Sequence, residues 1–110
     1  MSKLIDKQCQ ACDGDIGPLK KDLIFHYFNE LDDNWKIIDA FKLQRQYHFK
    51  NFAAALDFTV KLGELAESEG HHPDILLSWG KVVVDIYTHK VNNLTENDFI
   101  LAAKCDLIKT

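Results

Sequence analysis

The pattern of apolar and polar residues begins with a helical repeat. Leu19, Leu23, Tyr27 and Leu31 follow one another at intervals of four. This spacing places the four side chains on one face, and it predicts an amphipathic helix over residues 18–31.

Two strands are predicted next, after a turn signal at residues 32–34. The first is short and covers residues 35–38. In the second, over residues 41–50, apolar and polar residues alternate, which is typical of a strand with one buried and one exposed face. Arg45 interrupts the apolar set and favours a place near the edge of the sheet. The apolar members are Phe41, Leu43, Tyr47 and Phe49.

A long helix is predicted over residues 51–69. Asn51 is a suitable N-cap, and Gly70 provides a stop signal at the other end. We expect one stripe of this helix to pack on the sheet. Its members are Phe52, Ala55, Leu56, Thr59, Val60, Gly63 and Ala66.

Two more strands and a last helix complete the pattern. The strands are predicted over residues 74–79 and 81–89, with a tight connection between them. Thr95-Glu96-Asn97-Asp98 resembles a capping box in which Asp98 replaces the usual Glu or Gln. It predicts a helix that runs to about residue 108. In the second strand, the residues expected to share one face are Val82, Val84, Ile86 and Thr88.

The order of elements is therefore α-β-β-α-β-β-α. Paired strands with few helices predict an α+β fold, with a four-stranded antiparallel sheet and three helices packed on one face. Residues 1–17 are polar and contain two glycines, so we expect an irregular N-terminal arm. Residues 18–110 are expected to form a single domain.

Composition and charge limit the possible partners. Hydrophobic residues make up 46% and charged residues 27% of the 110 residues, as in globular proteins. The net charge of -4 does not complement nucleic acid or an anionic membrane, so we expect direct binding to neither. No apolar run approaches the ~18–20 residues of a membrane span, and the N-terminus lacks a signal-peptide core. We expect a cytoplasmic protein.

The three cysteines do not predict a disulfide framework, because their number is odd and no export signal accompanies them. Cys9 and Cys12 have the spacing of a zinc or redox pair. Structural zinc takes four ligands, and Cys105 alone cannot complete the set. A redox pair would open a helix after a strand, whereas Asp13-Gly14-Asp15 follows this one. We expect packing or loop anchoring, and no metal.

The candidate chemistry lies in the histidines. His71 and His72 are adjacent, just past the stop at Gly70, and His89 ends the last predicted strand. Histidine is the side chain best suited to exchange protons near neutral pH. Pro73 favours an extended backbone at His72, and adjacent side chains of an extended chain diverge. We therefore expect two different roles for the pair, and a hairpin that returns His89 to their neighbourhood.

A metal site is the alternative interpretation, because Glu67, His71, His72 and His89 are all possible ligands. Adjacent histidines are poorly placed to chelate one ion, so the sequence favours acid–base chemistry. Glu67 lies one helical turn before His71 and is placed to orient an imidazole. His26 and His48 lie on polar faces and receive no functional role.

Two further residues carry a structural and a functional interpretation each. Asp98 caps its helix and is also a candidate ligand contact. Trp79 suits packing in the hairpin, and its ring could instead stack on a substrate ring.

The stretch from Glu67 to Asp98 resembles the signature of the pterin-4a-carbinolamine dehydratases. Its positions are held here by Glu67, His71-His72-Pro73, Trp79, His89 and Asp98. The resemblance extends to Trp35, to residues 49–52 and to residues 94–99, and so covers nearly the whole chain after the arm. Asn92-Asn93 stands where a more glycine-rich turn is common.

This resemblance implies dehydration of 4a-hydroxytetrahydropterin to quinonoid dihydropterin, which recycles the cofactor of aromatic amino acid hydroxylases. The reaction supplies one proton to the leaving hydroxyl and removes one from the ring, so no cofactor or metal is expected. The catalytic candidates are His71, His72 and His89, of which His71 and His89 are expected to move protons. The substrate-binding candidates are His72, Pro73, Glu67, Trp79 and Asp98.

The resemblance leaves other functions open. Members of this family also act as dimerisation partners of transcription regulators, which the acidic charge would restrict to protein contact. A third possibility is a pterin-binding protein of molybdopterin metabolism. The resemblance also implies a homodimer or homotetramer, and no residue of the sequence decides between the two.

Overall fold

A computed structural model describes residues 4–9, 20–39, 41–88 and 93–109. Within these ranges three helices and four strands follow the predicted order, so the α+β fold is confirmed. The elements are α1 (Lys21–Phe28), β1 (Lys36–Ile38), β2 (Lys42–His48), α2 (Phe52–Glu69), β3 (Asp74–Ser78), β4 (Lys81–Ile86) and α3 (Glu96–Cys105).

The strands form one antiparallel sheet in the order β1-β2-β4-β3. Strand β2 pairs with β4 along its length but with the edge strand β1 only as far as Gln44, so Arg45 pairs with Val84 and lies just past the end of the β1 pairing. The sheet accommodates this cation because Asp106 accepts a hydrogen bond of 2.8 Å from its Nη1. The guanidinium also lies over the ring of Tyr47, 4.5 Å from the ring centroid.

Several predicted elements are longer than the observed ones, among them β2, which spans residues 42–48 and not 41–50. α1 begins at Lys21 and ends at Phe28, where residues 18–31 were expected, and positions 18 and 19 lie outside the described residues. α3 ends at Cys105, and the side chain of the following Asp106 accepts hydrogen bonds from β2 and from Trp35, whose Nε1 lies at 2.8 Å. β4 ends at Ile86, and Thr88 forms an isolated bridge to Asn93.

The prediction of which α2 side chains are buried is wrong in part. Ala55 and Ala66 are buried as expected, but the helix packs on the sheet through Phe58 and Leu62. Phe58 is selected because its ring meets two rings of the β2 region, with centroids 4.5 Å from Tyr47 and 5.3 Å from Phe49. The other apolar side chains of the predicted stripe face outward: Phe52 is 43%, Leu56 43% and Val60 51% exposed.

The register of β3 and β4 sets the position of the histidine segment. Asp74 pairs with Asp85, and successive pairs step along the two antiparallel strands. His71 precedes Asp74 by three residues and Thr88 follows Asp85 by three. Continued to these positions, the same register places His71 opposite Thr88. The end of α2, the end of β4 and the start of α3 therefore meet at one edge of the core.

The described part of the N-terminal arm also reaches this edge. Residues Leu4–Asp6 form a short 3-10 turn, in which Leu4 is buried. The backbone N–H of Cys9 donates to Glu69 Oε1 at 2.9 Å, at the end of α2. The division predicted at residue 17 lies outside the described residues and stays a prediction. In the described ranges no helix is long and apolar enough to cross a membrane.

Candidate active site

The end of α2 separates the two adjacent histidines. Gly70 adopts a φ of 65°, a left-handed conformation that glycine tolerates, and its N–H bonds back to the last turn. The N–H of His71 then donates to the carbonyl of Ala66 at 3.2 Å. As a result the His71 side chain turns inward and is 6% exposed, whereas that of His72 turns outward and is 60% exposed. The side chains of the pair diverge, as expected.

His71 is bound to a buried carboxylate. Its Nε2 lies 2.6 Å from Oδ1 of Asp98, whose side chain is completely buried. The other oxygen, Oδ2, accepts hydrogen bonds from the N–H of Thr95 at 2.7 Å and from Oγ1 of Thr88 at 2.9 Å. Burial and three donors hold the carboxylate in place, and the carboxylate in turn fixes the imidazole.

Asp98 caps its helix as predicted, and it also contacts His71; its predicted contact with a ligand stays a prediction. Thr95 is the N-cap of α3, and the reciprocal hydrogen bonds of the capping box join its side chain and backbone to Asp98. The local sequence predicts the cap, but only the fold brings His71, 27 residues earlier, to the same carboxylate.

Glu67 contacts the second histidine of the pair. Its Oε1 lies 2.6 Å from Nε2 of His72, and both side chains are mostly exposed. Solvent screens such a pair, so it orients the ring more than it stabilises the fold. His72 thus presents a ring that is held at one nitrogen and open to solvent.

Of the remaining candidate site residues, the structure describes Pro73 and Trp79. Pro73 is half-buried and directly precedes β3. Trp79 lies in the turn at the opposite end of β3 and is 68% exposed. At about 3.3 Å per residue, it is about 20 Å from Pro73. Trp79 is therefore far from His71 and His72 of the same chain, and a role in binding stays a prediction. His89 lies outside the described residues.

The hydroxyl of Thr88 is a site group that the sequence did not reveal. Thr88 shares the face predicted for Val82, Val84 and Ile86, and the structure shows that this face is buried, with Thr88 1% exposed. The signal that could have identified it is the hairpin register, which sets Thr88 level with His71. The Oγ1 atoms of Thr88 and Thr95 lie 2.8 Å apart.

Cys9 has the environment of an anchoring residue. Its Sγ donates to the carbonyl of Asn97 at 3.6 Å, and burial together with the Glu69 carboxylate raises the pKa of the thiol to about 12. A thiol with so high a pKa stays protonated at neutral pH and is a poor nucleophile. Cys12 lies outside the described residues. Over the described part of the chain, no three His, Cys, Asp or Glu side chains are grouped to hold a metal ion.

The sequence from residue 17 to residue 108 matches the model of one protein family, described as pterin 4 alpha carbinolamine dehydratase. The chain belongs to this family. The match includes α1, the whole sheet, α2 and α3, and therefore every residue of the candidate site.

Bacterial relatives resemble the chain over almost its full length. A protein of Alkaliphilus metalliredigens is 48% identical over 106 residues, covering 96% of both chains. One of Methylococcus capsulatus is 49% identical over 108 residues, covering 94% of this chain and 90% of the relative. Both bear the provisional name pterin-4-alpha-carbinolamine dehydratase.

Two solved structures have the same fold. A transcriptional coactivator/pterin dehydratase from Brucella melitensis superposes with a TM-score of 0.75 at 28% identity, over 82% of this chain and 96% of the other. A pterin dehydratase-like protein identified as a RuBisCO assembly factor in the alpha-carboxysome gives a TM-score of 0.58 at 24% identity, over 67% of this chain and 87% of the other. The second likeness concerns the fold alone.

Proposed function

We propose that this member of the pterin 4 alpha carbinolamine dehydratase family removes water from a 4a-hydroxytetrahydropterin to give the quinonoid dihydropterin. The observation that carries the proposal is the pair of unlike histidines at the end of α2. One imidazole is buried against a carboxylate, and its neighbour is open to solvent beside it.

The reaction needs two proton transfers and no redox step. The hydroxyl leaves from a ring carbon that also bears nitrogen, and the nitrogen lone pair forms the new C=N bond as the C–O bond breaks. One proton goes to the departing hydroxyl to make water, and one leaves a ring nitrogen. Positioned general acids and bases typically contribute about 10²–10⁴-fold to such steps.

His71 is the better placed of the described histidines to move a proton. A carboxylate only accepts hydrogen bonds, so the proton between His71 and Asp98 belongs to Nε2 of the imidazole. The neutral ring then has its lone pair on Nδ1, which can take a proton from the substrate. The negative charge of Asp98 stabilises the imidazolium that results, in the manner of other Asp–His pairs.

His72 is proposed to hold the pterin, with Pro73 beside it and Glu67 orienting its ring. An exposed imidazole can donate to a carbonyl or accept from an amino group of the pterin. The second proton transfer is assigned to His89, on the sequence signature alone. Asp98 acts through His71, and no metal or cofactor takes part in the proposed reaction.

The direct test is a dehydratase assay on freshly generated 4a-hydroxytetrahydropterin, with and without a chelator. We expect turnover above the spontaneous rate that is unchanged by the chelator. Absence of turnover would overturn the proposal, and turnover lost only with the chelator would favour a metal mechanism instead. Regeneration of the cofactor during phenylalanine hydroxylation would test the recycling role and the link to a hydroxylase pathway.

A second proposal concerns self-association through α2. Phe52, Leu56 and Val60 recur at intervals of four, so they form one outward-facing apolar stripe on this helix. A second copy of the chain would cover this stripe with its own in a two-fold arrangement. The stripe equally suits contact with a different protein, in addition to the enzymatic activity. The oligomeric state in solution distinguishes self-association from contact with a different protein.

A further inference from the structure

The hydroxyl of Thr88 lies at the centre of a hydrogen-bonded chain that ends at His71. It is 2.9 Å from Oδ2 of Asp98 on one side and 2.8 Å from Oγ1 of Thr95 on the other. The backbone of Thr88 is fixed as well, because its N–H donates to the carbonyl of Asn93 at 2.9 Å. Both ends of this threonine are therefore held.

The direction of each hydrogen bond follows from the number of protons. Thr88 has one hydroxyl proton and donates it to the Asp98 carboxylate. It must then accept from the hydroxyl of Thr95, whose own oxygen accepts the N–H of Asp98 in the capping box. Each hydroxyl thus donates once and accepts once, and only one arrangement of protons fits.

We propose that Thr88 is a positioning residue for the dehydration proposed above. Its hydroxyl fixes the rotation of the Asp98 carboxylate, so that Oδ1 receives the Nε2–H of His71 and the neutral ring keeps its lone pair on Nδ1. The inference rests on the proposed function for its catalytic meaning, but the tautomer of His71 can be measured without turnover.

Threonine suits this position because its methyl group and its hydroxyl have different roles. The methyl group is buried with the rest of the side chain, and branching at Cβ restricts the rotamers of the hydroxyl. Valine has the same shape without the hydroxyl. It would leave Oδ2 of Asp98 with the Thr95 N–H alone and the hydroxyl of Thr95 without its acceptor. Serine would keep both hydrogen bonds and lose only the methyl group.

The experiment compares Thr88→Val and Thr88→Ser with the native chain. The ¹⁵N chemical shifts of the imidazole nitrogens report the tautomer, and His71→Gln assigns the signals. We expect one tautomer protonated at Nε2 in the native chain and in Thr88→Ser, and a mixture of tautomers in Thr88→Val. Thr59→Val is the matched control, because the Thr59 hydroxyl bonds only the Ala55 carbonyl within α2 in the described residues.

The kinetic arm separates positioning from folding. Thr88→Val should lower kcat by roughly 10–100-fold, a part of the ~10²–10⁴-fold of acid–base catalysis, with KM changed less than about twofold. Thr88→Ser should restore kcat to within about threefold. A native tautomer or a native kcat in Thr88→Val would overturn the inference. If that variant fails to fold, Thr88→Ala is judged by the same two measurements.

Different results would disprove the proposed dehydratase function and the positioning role of Thr88. If the native chain shows no dehydratase activity but Thr88→Val mixes the tautomers, the proposed function is wrong and the positioning of His71 by Thr88 stands. If the native chain is active but the tautomer does not respond to Thr88→Val, the positioning inference alone is wrong.

Discussion

Lys104 Nζ lies 2.6 Å from Glu69 Oε2, which joins the last turn of α2 to the last turn of α3. Both side chains are largely buried, and the other oxygen of Glu69 accepts the N–H of Cys9. One carboxylate therefore ties together two helices and the N-terminal arm, one residue before the glycine that orients the histidines.

We expect Glu69→Gln to lower the free energy of unfolding by about 1–2 kcal/mol at pH 7, because charged hydrogen bonds are lost in a mostly buried site. Burial raises the pKa of Glu69, but the Cys9 N–H and Lys104 outweigh it and leave that pKa below its ordinary value of 4.5. A lowered pKa gives stability that is full above about 4.5 and is lost as the pH falls through the folded value. Urea unfolding from pH 7 to pH 3 measures this.

Native protein should lose more stability between pH 5 and pH 3 than Glu69→Gln does. Glu64→Gln, at an exposed position of the same helix, serves as the control and should follow the native curve. Parallel curves for Glu69→Gln and native protein would show that ionisation of Glu69 contributes no pH-dependent stability, and they would contradict the prediction.

Asp98→Asn should damage catalysis and stability together. The amide cannot balance an imidazolium at His71, so kcat should fall by roughly 10²–10⁴-fold. The capping box also weakens, which should cost about 1–2 kcal/mol of unfolding free energy. Steady-state kinetics and chemical unfolding measure the two effects, and Asp57→Asn on the exposed side of α2 is the control. Full activity in Asp98→Asn would contradict the role given to His71.

Substitutions of His71 and His72 should have different effects on kcat and KM. His71→Ala is expected to lower kcat with little change in KM, since its ring is buried against Asp98 and moves a proton. His72→Ala is expected to raise KM or the dissociation constant of a pterin analogue, with a smaller effect on kcat. Turnover and equilibrium affinity must be measured separately. A His72→Ala variant with native affinity would exclude the binding role.

Leu56→Lys tests the exposed stripe of α2. A lysine in the middle of an interface between two copies would be buried without a partner, so association should weaken at least tenfold. Light scattering over a range of concentrations gives the mass. Ser68→Lys, at an exposed position of α2 well away from the stripe, is the control. A native oligomeric mass in Leu56→Lys would place any interface elsewhere, and a native chain that is monomeric would exclude self-association.

The features that could be predicted from the sequence are those whose causes are local. Asn51 accepts the N–H of Ala54 at 2.9 Å as a helix cap, and Gly70 ends the same helix, as their positions indicated. The capping box at Thr95 and Asp98 was also predicted, because its hydrogen bonds join residues three apart. Each of these signals needs one turn of chain and no knowledge of the sheet.

The features that could not be predicted depend on distant residues. The sequence of α2 offers two apolar stripes, and the rings of Tyr47 and Phe49 from another element decide which one is buried. Likewise, Glu67 contacts His72 because the turn at Gly70 sends His71 inward. Neither choice is contained in the periodicity of the helix itself.

The double attachment of Asp98 restricts how this sequence can change over evolutionary time. Because one carboxylate both begins α3 and holds His71, a chain that loses Asp98 loses stability along with its proton-transfer group. His72 lies on the surface, so its replacement would not lower the stability of the fold in this way. A descendant that abandons dehydration while keeping the fold would therefore be expected to drift first at His72 and Glu67, and last at Asp98.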